Sequence, residues 1–490
     1  MAQRRVRLRV DHERAAAAHL DAVFDSIRAE LGVPQAFPDD VLDAARTAAA
    51  DPDVPTGDLT DVAFFTIDPA GSTDLDQAMA LDREGAGFRV RYAIADVPAF
   101  VAPGGPIDLE ARRRGQTLYA PDRRTPLHPP VISEDAASLL PGQVRPAFVW
   151  DLRLDGDGEL RGADVRRAMV RSVDRLDYDS LQAELDAGRV DERIALLREV
   201  GERRIALESA RGGASLPMPE QEVELDDGHY VLRWRPPSQV EDWNAQISLL
   251  TGMAAADMML AGQVGILRTM PDPDHRAVAR FRRQAVALGA RWPAEQAYGD
   301  FLRGLDRSNP HHLALIHEAT ALFRGAGYTP FDGAVPETTG HAAVADQYAH
   351  VTAPLRRLVD RFGLVVCEAL CRDADVPGWV REALPTLASA MATSDQQAGR
   401  LERACTDAVE AAVLAHRVGD TFEAVVVDVD GRADAAKVGE VPDSSTGGVV
   451  QLTEPPVLAP VTGDVQLGAT LRVRLAAADV DQRRVEFTPA

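Results

Sequence analysis

Three aspartates follow one apolar strand candidate near residue 68. In the stretch 64–77, FFTIDPAGSTDLDQ, the strand ends at Asp68, a Pro-Gly turn reverses the chain, and Asp74 and Asp76 follow. If the second segment is extended, Asp74 and Asp76 point to the same side, because side chains alternate along a strand. Carboxylates this close repel one another unless a hard cation compensates them. The pattern predicts a Mg²⁺ or Mn²⁺ site that acts on a phosphate. The alternative is a solvated acidic loop.

A pair of arginines is the second chemical feature. It lies in HVTAPLRRL, residues 350–358, where Thr352 is predicted to cap a helix with a proline in its first turn. Arg356 and Arg357 would then project from that turn, where each cation opposes the helix dipole by about 0.3–1 kcal/mol. A bound phosphate would reverse this cost. The alternative is that both arginines pair with a local carboxylate such as Asp360, and the sequence leaves both readings open.

A third feature is the basic stretch 112–124, RRRGQTLYAPDRR, which includes Arg114 and places Tyr119 among arginines. Phosphate neutralisation combined with an aromatic ring suits single-stranded nucleic acid, because bases stack on the ring. A basic surface loop with a core tyrosine explains the same pattern. Further along, Glu241 lies off the apolar stripe of its predicted helix.

The helices and strands that the sequence pattern indicates predict an α+β protein in three parts. Residues 1–55 have helical periodicity, and residues 56–417 begin with strand candidates before long helical patterns dominate. A strand hairpin, EVELDDGHYVLRW, interrupts those helices. Residues 418–490 contain short alternating strands, which predict a small all-β barrel of OB-fold type.

Composition leaves a nucleic-acid partner open. The net charge is 53 − 76 = −23, which argues against one, yet the arginines are clustered, and a basic channel inside an acidic exterior fits both facts. No apolar run is long enough for a membrane span. The start of the chain does not resemble a signal peptide, and three cysteines are too few for a disulfide framework, so we expect a cytoplasmic protein.

Taken together, these stretches resemble the catalytic RNB domain of the ribonuclease II/R family. FFTIDPAGSTDLDQAMAL resembles the metal-site signature Asp-x5-Asp-x-Asp-Asp, and DQYAHVTAPLRRLVDR resembles the arginine motif. PIDLEARRRGQTLYAPDRRTPLHPP and VEDWNAQISLL resemble the intervening blocks in the right order. The resemblance covers about residues 37–417, and the last segment resembles the OB-fold that usually closes this family.

The resemblance implies a 3′→5′ exoribonuclease that hydrolyses single-stranded RNA to nucleoside 5′-monophosphates with Mg²⁺ or Mn²⁺. We also expect a monomer. Each site residue is assigned by its match to a family position. Metal ligands are Asp68, Asp74, Asp76 and Gln77; catalytic residues are Asp76 and Arg356; RNA contacts are Tyr119, Tyr178, Glu241, Arg357 and Arg114.

Departures from the family pattern motivate a rival hypothesis. Gln77 stands where the signature has its fourth aspartate, so Mg²⁺ binding is expected to weaken. The ring that opposes Tyr119 in the family should fall near Leu216, where no aromatic is present. Helical residues stand where cold-shock barrels are expected, and acidic residues outnumber basic ones in the terminal barrel. The rival is a catalytically weakened RNA-binding protein on a nuclease scaffold.

Overall fold

The computed structural model describes most of the chain. The described residues are 10–214, 220–226, 229–235, 238–293, 295–306, 309–319, 322, 325–429, 444–452 and 454–490. Leu216 lies outside them, so the prediction about the second stacking ring falls on a position that the structure does not describe.

Within the described residues the chain forms helices α1–α11 and strands β1–β18. The helices are Val10–Glu30, Asp39–Ala50, Pro106–Arg114, Tyr178–Asp186, Glu192–Arg211, Gln239–Gly262, His275–Ala287, Tyr298–Arg303, Pro310–Ala319, Leu358–Cys371 and Gly378–Leu414. The strands of the first half are Phe64–Asp68, Gln77–Glu84, Gly87–Ala95, Leu118–Tyr119, Arg124–Thr125, Val144–Leu154, Leu160–Asp177, Glu220–Asp226 and His229–Arg235. The strands of the second half are Val264–Thr269, Gly327–Asp332, Gly340–His341, Asp346–Gln347, Thr421–Val429, Ser444–Leu452, Leu458–Gln466, Thr470–Asp479 and Arg484–Pro489.

The first half of the chain closes a five-stranded barrel in the order β1-β2-β3-β6-β7. Strand β1 runs antiparallel to β2 and parallel to β7, and its last residue, Asp68, pairs with Asp177. Because Asp177 ends β7 and caps α4, this register brings Tyr178, the first residue of α4, to the same end of the barrel as Asp68. Tyr92 and Trp150, both fully buried, fill the barrel, and α6 and α10 contribute to the same core.

The C-terminal segment closes a second five-stranded barrel, β14-β15-β16-β18-β17. This confirms the predicted OB-like barrel, and with the helical N-terminal region and the first barrel it confirms the α+β class. Helix α1 packs against the long helix α11, in a core that also includes residues of the second barrel. None of the helices in the described part of the chain is both long and apolar enough to cross a bilayer.

Two local predictions are wrong. Helix α10 begins at Leu358, and no side chain caps it, so Thr352 does not start a helix. The reason is a long-range pairing, because the Thr117 amide donates to the Arg356 carbonyl at 2.9 Å and the Leu358 amide donates to the Gly115 carbonyl at 2.9 Å. These bonds hold the arginine segment in an irregular conformation. Strand β2 begins at Gln77, after the acidic segment, so strand alternation does not orient the aspartates.

The buried His128 makes the folded protein less stable at acidic pH. Burial, aided by the charge of Arg114, lowers the pKa of the fully buried His128 to about 4. The unfolded chain therefore takes up a proton at this position below about pH 6.5, whereas the folded protein does so only near pH 4, and stability falls as pH falls through that window. The loss from His128 reaches up to about 3 kcal/mol at pH 4.

We expect His128→Leu to flatten this part of the pH dependence of the free energy of unfolding, measured by urea denaturation between pH 7 and 4. The exposed His275, at the start of α7, offers the control His275→Gln, which should leave the slope unchanged. Equal slopes in the wild type and His128→Leu would contradict the assignment.

Candidate active site

The candidate site is built where the acidic segment before β2 meets the segment before α10. The Asp76 side chain is 5% exposed, and its Oδ1 accepts a hydrogen bond from the Leu355 backbone amide at 2.8 Å. Its Oδ2 lies 3.6 Å from Nε of Arg356. The Arg356 side chain is 43% exposed, so its guanidinium remains accessible to a ligand. The contact brings together the two residues that the resemblance assigns to catalysis, and their roles stay predictions.

The other two aspartates lie beside Asp76 but make different contacts. Asp68, at the end of β1, is partly buried, and the charges of Asp74, Arg175 and Arg356 act on its carboxylate. Asp74 Oδ1 accepts a hydrogen bond from Nη1 of Arg124 at 2.5 Å. The same guanidinium contacts Glu134 Oε1 at 2.9 Å, so Arg124 bridges two carboxylates at the rim of the site.

Burial leaves the inner carboxylates poorly compensated. Burial, together with the charge of Asp74, raises the pKa of Asp68 to about 7. Burial raises the pKa of Asp76 to about 8, although the charge of Arg356 and the hydrogen bond from Leu355 oppose the shift. A cation near both groups would favour their ionised forms.

Carboxylate oxygens such as those of Asp68 and Asp76 are the ligands that a hard divalent cation prefers. The structure does not assemble a complete ligand set, because in the described part of the chain no three His, Cys, Asp or Glu side chains are arranged to hold a metal ion. Two of the three aspartates are engaged by other groups: Asp74 contacts Arg124, and Asp76 accepts from the Leu355 amide. The donor type therefore fits the cation, and Asp74 would have to leave Arg124 before it could bind one.

Gln77 links three parts of the site. Its Nε2 donates to the Thr352 carbonyl at 2.5 Å, and its Oε1 accepts from the Tyr92 hydroxyl at 2.9 Å. The amide thus ties β2 to β3 and to the segment that presents Arg356. This is a tethering role that an aspartate could not fill in the same way, because an ionised carboxylate has no N–H to donate.

Two tyrosines lie near the acidic residues, and the charge of Glu241 acts on one of them, Tyr178. Tyr119, on β4, is 52% exposed, and burial of its hydroxyl with the charge of Asp74 raises its pKa to about 12. Burial also raises the pKa of Tyr178, where the charges of Asp68 and Glu241 add to the effect. The Tyr178 hydroxyl accepts a hydrogen bond from Asn244 Nδ2 at 2.7 Å. Both tyrosines therefore lie within electrostatic reach of the aspartates.

Glu241 is engaged at the start of α6. It forms a capping box with Ser238, whose amide donates to Glu241 Oε2 at 2.6 Å, and Oε1 accepts from Arg235 Nη1 at 2.6 Å. A carboxylate held in this way is well ordered, and its contact with a ribose stays a prediction.

Arg114 makes its contacts away from the aspartates, and Arg357 is paired with a carboxylate of the protein. Arg114 is 4% exposed, donates to Glu110 at 2.7 Å and to the Ala36 carbonyl at 2.7 Å, and stacks over a phenylalanine. Arg357 makes two hydrogen bonds to Asp360, at 2.9 and 2.8 Å. The alternative that arginines pair with Asp360 is thus correct for Arg357, whereas Arg356 faces Asp76. The RNA contacts assigned to Arg114 and Arg357 stay predictions that this geometry does not support.

Sequence reasoning missed Arg124, Glu134 and Asn244 as site residues. Arg124 belonged to the basic stretch around Tyr119, but its partner Asp74 lies 50 positions away. Asn244 follows Glu241 by one helical turn, and this spacing indicates that the two side chains share one face of the helix. Glu134 gave no signal of its own.

Comparison with family models shows to which protein family the chain belongs. The RNB domain model matches residues 56–368, and the model of the RNase II-type exonuclease C-terminal S1 domain matches residues 420–490. The chain belongs to the RNB family. The predicted resemblance is confirmed, and the second barrel is the S1 domain of this RNB protein.

Known proteins agree with this assignment. Ribonuclease R of Escherichia coli is 26% identical over 474 residues, an alignment that covers 88% of this chain and 57% of the relative. The RNB protein described here thus spans little more than half the length of that relative. The Mycoplasma genitalium RNase R, solved in complex with ribose-methylated single-stranded RNA, has the same fold, with a TM-score of 0.83, 18% identity, and coverage of 96% of this chain and 78% of that one. Yeast Ssd1, described as a pseudonuclease, matches with a TM-score of 0.69 at 16% identity. The match covers 95% of this chain and 57% of the Ssd1 chain.

Arg114 and its neighbour Arg113 provide a matched test of burial on α3. Both contact Glu110, but the Arg113 side chain is 57% exposed, whereas that of Arg114 is 2% exposed. We expect Arg114→Met to lower the free energy of unfolding by about 2–4 kcal/mol, because it leaves buried polar groups without partners. Arg113→Met should cost less than about 1 kcal/mol. Urea denaturation measures both, and a smaller loss for Arg114→Met than for Arg113→Met would refute the structural role.

Proposed function

We propose that this RNB protein is a 3′→5′ exoribonuclease that hydrolyses single-stranded RNA to nucleoside 5′-monophosphates and requires Mg²⁺ or Mn²⁺. The observation that carries the proposal is the pairing of buried Asp76 with the accessible guanidinium of Arg356 at 3.6 Å. This arrangement offers a phosphate a cationic contact on one side and a carboxylate that can orient a water molecule on the other. Family membership and the ribonuclease names of the relatives support the same class.

The reaction we propose is attack of water on the last phosphodiester. The bond from phosphorus to the preceding 3′ oxygen breaks, which releases a nucleoside 5′-monophosphate and leaves RNA one residue shorter. Arg356 would stabilise the charge that grows on the phosphate oxygens. A divalent cation bound by Asp68, Asp76 and, once released from Arg124, Asp74 would polarise the phosphate and lower the pKa of the attacking water. Glu241 and Tyr178 would contact the ribose, where a 2′-hydroxyl distinguishes RNA from DNA.

RNA is therefore the proposed partner, and its terminal base is proposed to stack on the Tyr119 ring. The partial exposure of this side chain supports that role, since a buried ring could not accept a base. The cytoplasmic location and monomeric state that the sequence predicts belong to the same proposal.

Asp76→Asn tests the catalytic assignment. We expect it to lower the rate of shortening of 5′-labelled single-stranded RNA by at least about 100-fold while RNA binding persists, because the substitution removes one charge and little volume. The matched control is Asp82→Asn on β2, where the side chain is 51% exposed and pairs with Arg91. A ladder of products that is unchanged in Asp76→Asn would reject the proposal.

A second candidate function is RNA binding without hydrolysis. The observation that favours it is Gln77, which replaces a signature aspartate and has its amide engaged by Tyr92 and Thr352. The yeast pseudonuclease, which covers 95% of this chain, shares the fold.

Nucleotide release separates the two candidates. We expect the wild-type protein to release monophosphates in Mg²⁺ or Mn²⁺, which would exclude the binding-only candidate. If the wild type binds RNA but releases none, and Gln77→Asp gains release, the binding-only candidate is correct. Chromatography of the products measures both outcomes.

A further inference from the structure

The turn that joins β4 to β5 is tied to the N-terminal helix α1. Arg28 is fully buried, and both of its terminal nitrogens donate to Asp122 in this turn, Nη1 to Oδ1 at 2.8 Å and Nη2 to Oδ2 at 2.6 Å. Asp25 accepts hydrogen bonds from Arg28 at 2.9 Å and from Arg123 at 2.6 Å. Two arginines and two aspartates thus bind α1 to one short turn.

The same turn positions two residues of the candidate active site. Tyr119 and Arg124 are directly paired across the β4–β5 hairpin, and Asp122 lies between them in the chain. Arg124 contacts Asp74, and the Tyr119 ring is half exposed. Because the hairpin strands are only two residues long, they cannot fix the turn by themselves. Asp122 is therefore one of the points at which this hairpin is held, together with the Arg124 contact to Asp74.

Helix α1 is itself held firmly on its other sides. Asp21 accepts a hydrogen bond from the Tyr230 hydroxyl at 2.6 Å, and Phe24 packs edge-to-face on the Tyr230 ring at 5.3 Å. Glu30 pairs with Arg483 of the second barrel at 3.0 Å. A helix anchored in this way is a rigid support for the turn.

We propose that α1 is a positioning element of the active site and that Arg28, through Asp122, sets the orientation in which Tyr119 receives the terminal base of RNA. The inference rests on the proposed function, because it concerns the base that Tyr119 stacks on. Arg28 is a positioning residue, since it touches Asp122 and no substrate. Removing Arg28 leaves the Asp122 carboxylate with a poorly compensated charge, so the turn is expected to move toward solvent.

The test uses the full-length protein and RNA that carries 2-aminopurine at its 3′ end, whose fluorescence is quenched by stacking. In EDTA, where hydrolysis does not interfere, the wild type should quench the probe. Arg28→Met should lose this quenching and, in Mg²⁺, raise KM about 5- to 100-fold with a much smaller change in kcat, as expected for one lost stacking contact. Tyr119→Ala should behave alike, and the double variant Arg28→Met/Tyr119→Ala should be no worse than Tyr119→Ala alone.

The control is Arg46→Met, which removes an exposed ion pair with Asp43 on α2 and should leave the probe quenched. Asp122→Asn, which keeps the shape of its side chain, supplies the second measurement if Arg28→Met does not fold, and it should weaken quenching in the same direction. Full quenching in a folded Arg28→Met or in Asp122→Asn, or additive losses in the double variant, would overturn this inference alone. Absence of quenching and of RNA shortening in the wild type would overturn the proposed function, and the inference with it.

Discussion

The hydrogen bond from the Leu355 amide to Asp76 is the contact on which the site depends. It joins the acidic segment before β2 to the segment before α10, which lies 279 positions further along the chain. The bond fixes a buried carboxylate and, in the next residue, presents Arg356. Since burial makes an isolated carboxylate costly, the donor and the guanidinium beside Asp76 offset part of the cost of burying it. The same compensation provides two groups of opposite charge next to a position that a phosphate can occupy.

Paired arginines hold the surrounding segments in place. Arg357 bonds to Asp360, and Asp360 also accepts from the Ala353 amide at 2.6 Å, so one carboxylate fixes the segment that carries Arg356. Arg114 and Arg28 do the same for the basic stretch around Tyr119. The net negative charge of the chain is therefore compatible with a site built on guanidinium groups. Arg28, Arg114 and Arg357 pair with internal carboxylates, whereas Arg356 is partly exposed and is proposed to contact the substrate.

Much of this architecture was predictable from local sequence. The apolar run that ends at Asp68 is correctly predicted as a strand, and short alternating strands correctly predict the terminal barrel. Local rules failed where a distant partner decides the conformation. Thr352 resembles a helix cap, but pairing with the segment after α3 moves the start of α10 to Leu358. The Arg28–Asp122 pair joins residues 94 positions apart, and the link from Gln77 to Thr352 is longer still. Such pairs have no periodicity, so neither residue indicates its partner in the sequence.

Asp76 and Arg356 are proposed to act on the same phosphate. A crystal structure of Asp76→Asn, grown with Mg²⁺ and a short single-stranded RNA, would show whether they do. We expect the last phosphodiester of the RNA to lie between position 76 and the Arg356 guanidinium, with the terminal base on Tyr119. RNA bound on another surface, or a phosphate that contacts neither residue in an otherwise intact barrel, would contradict it.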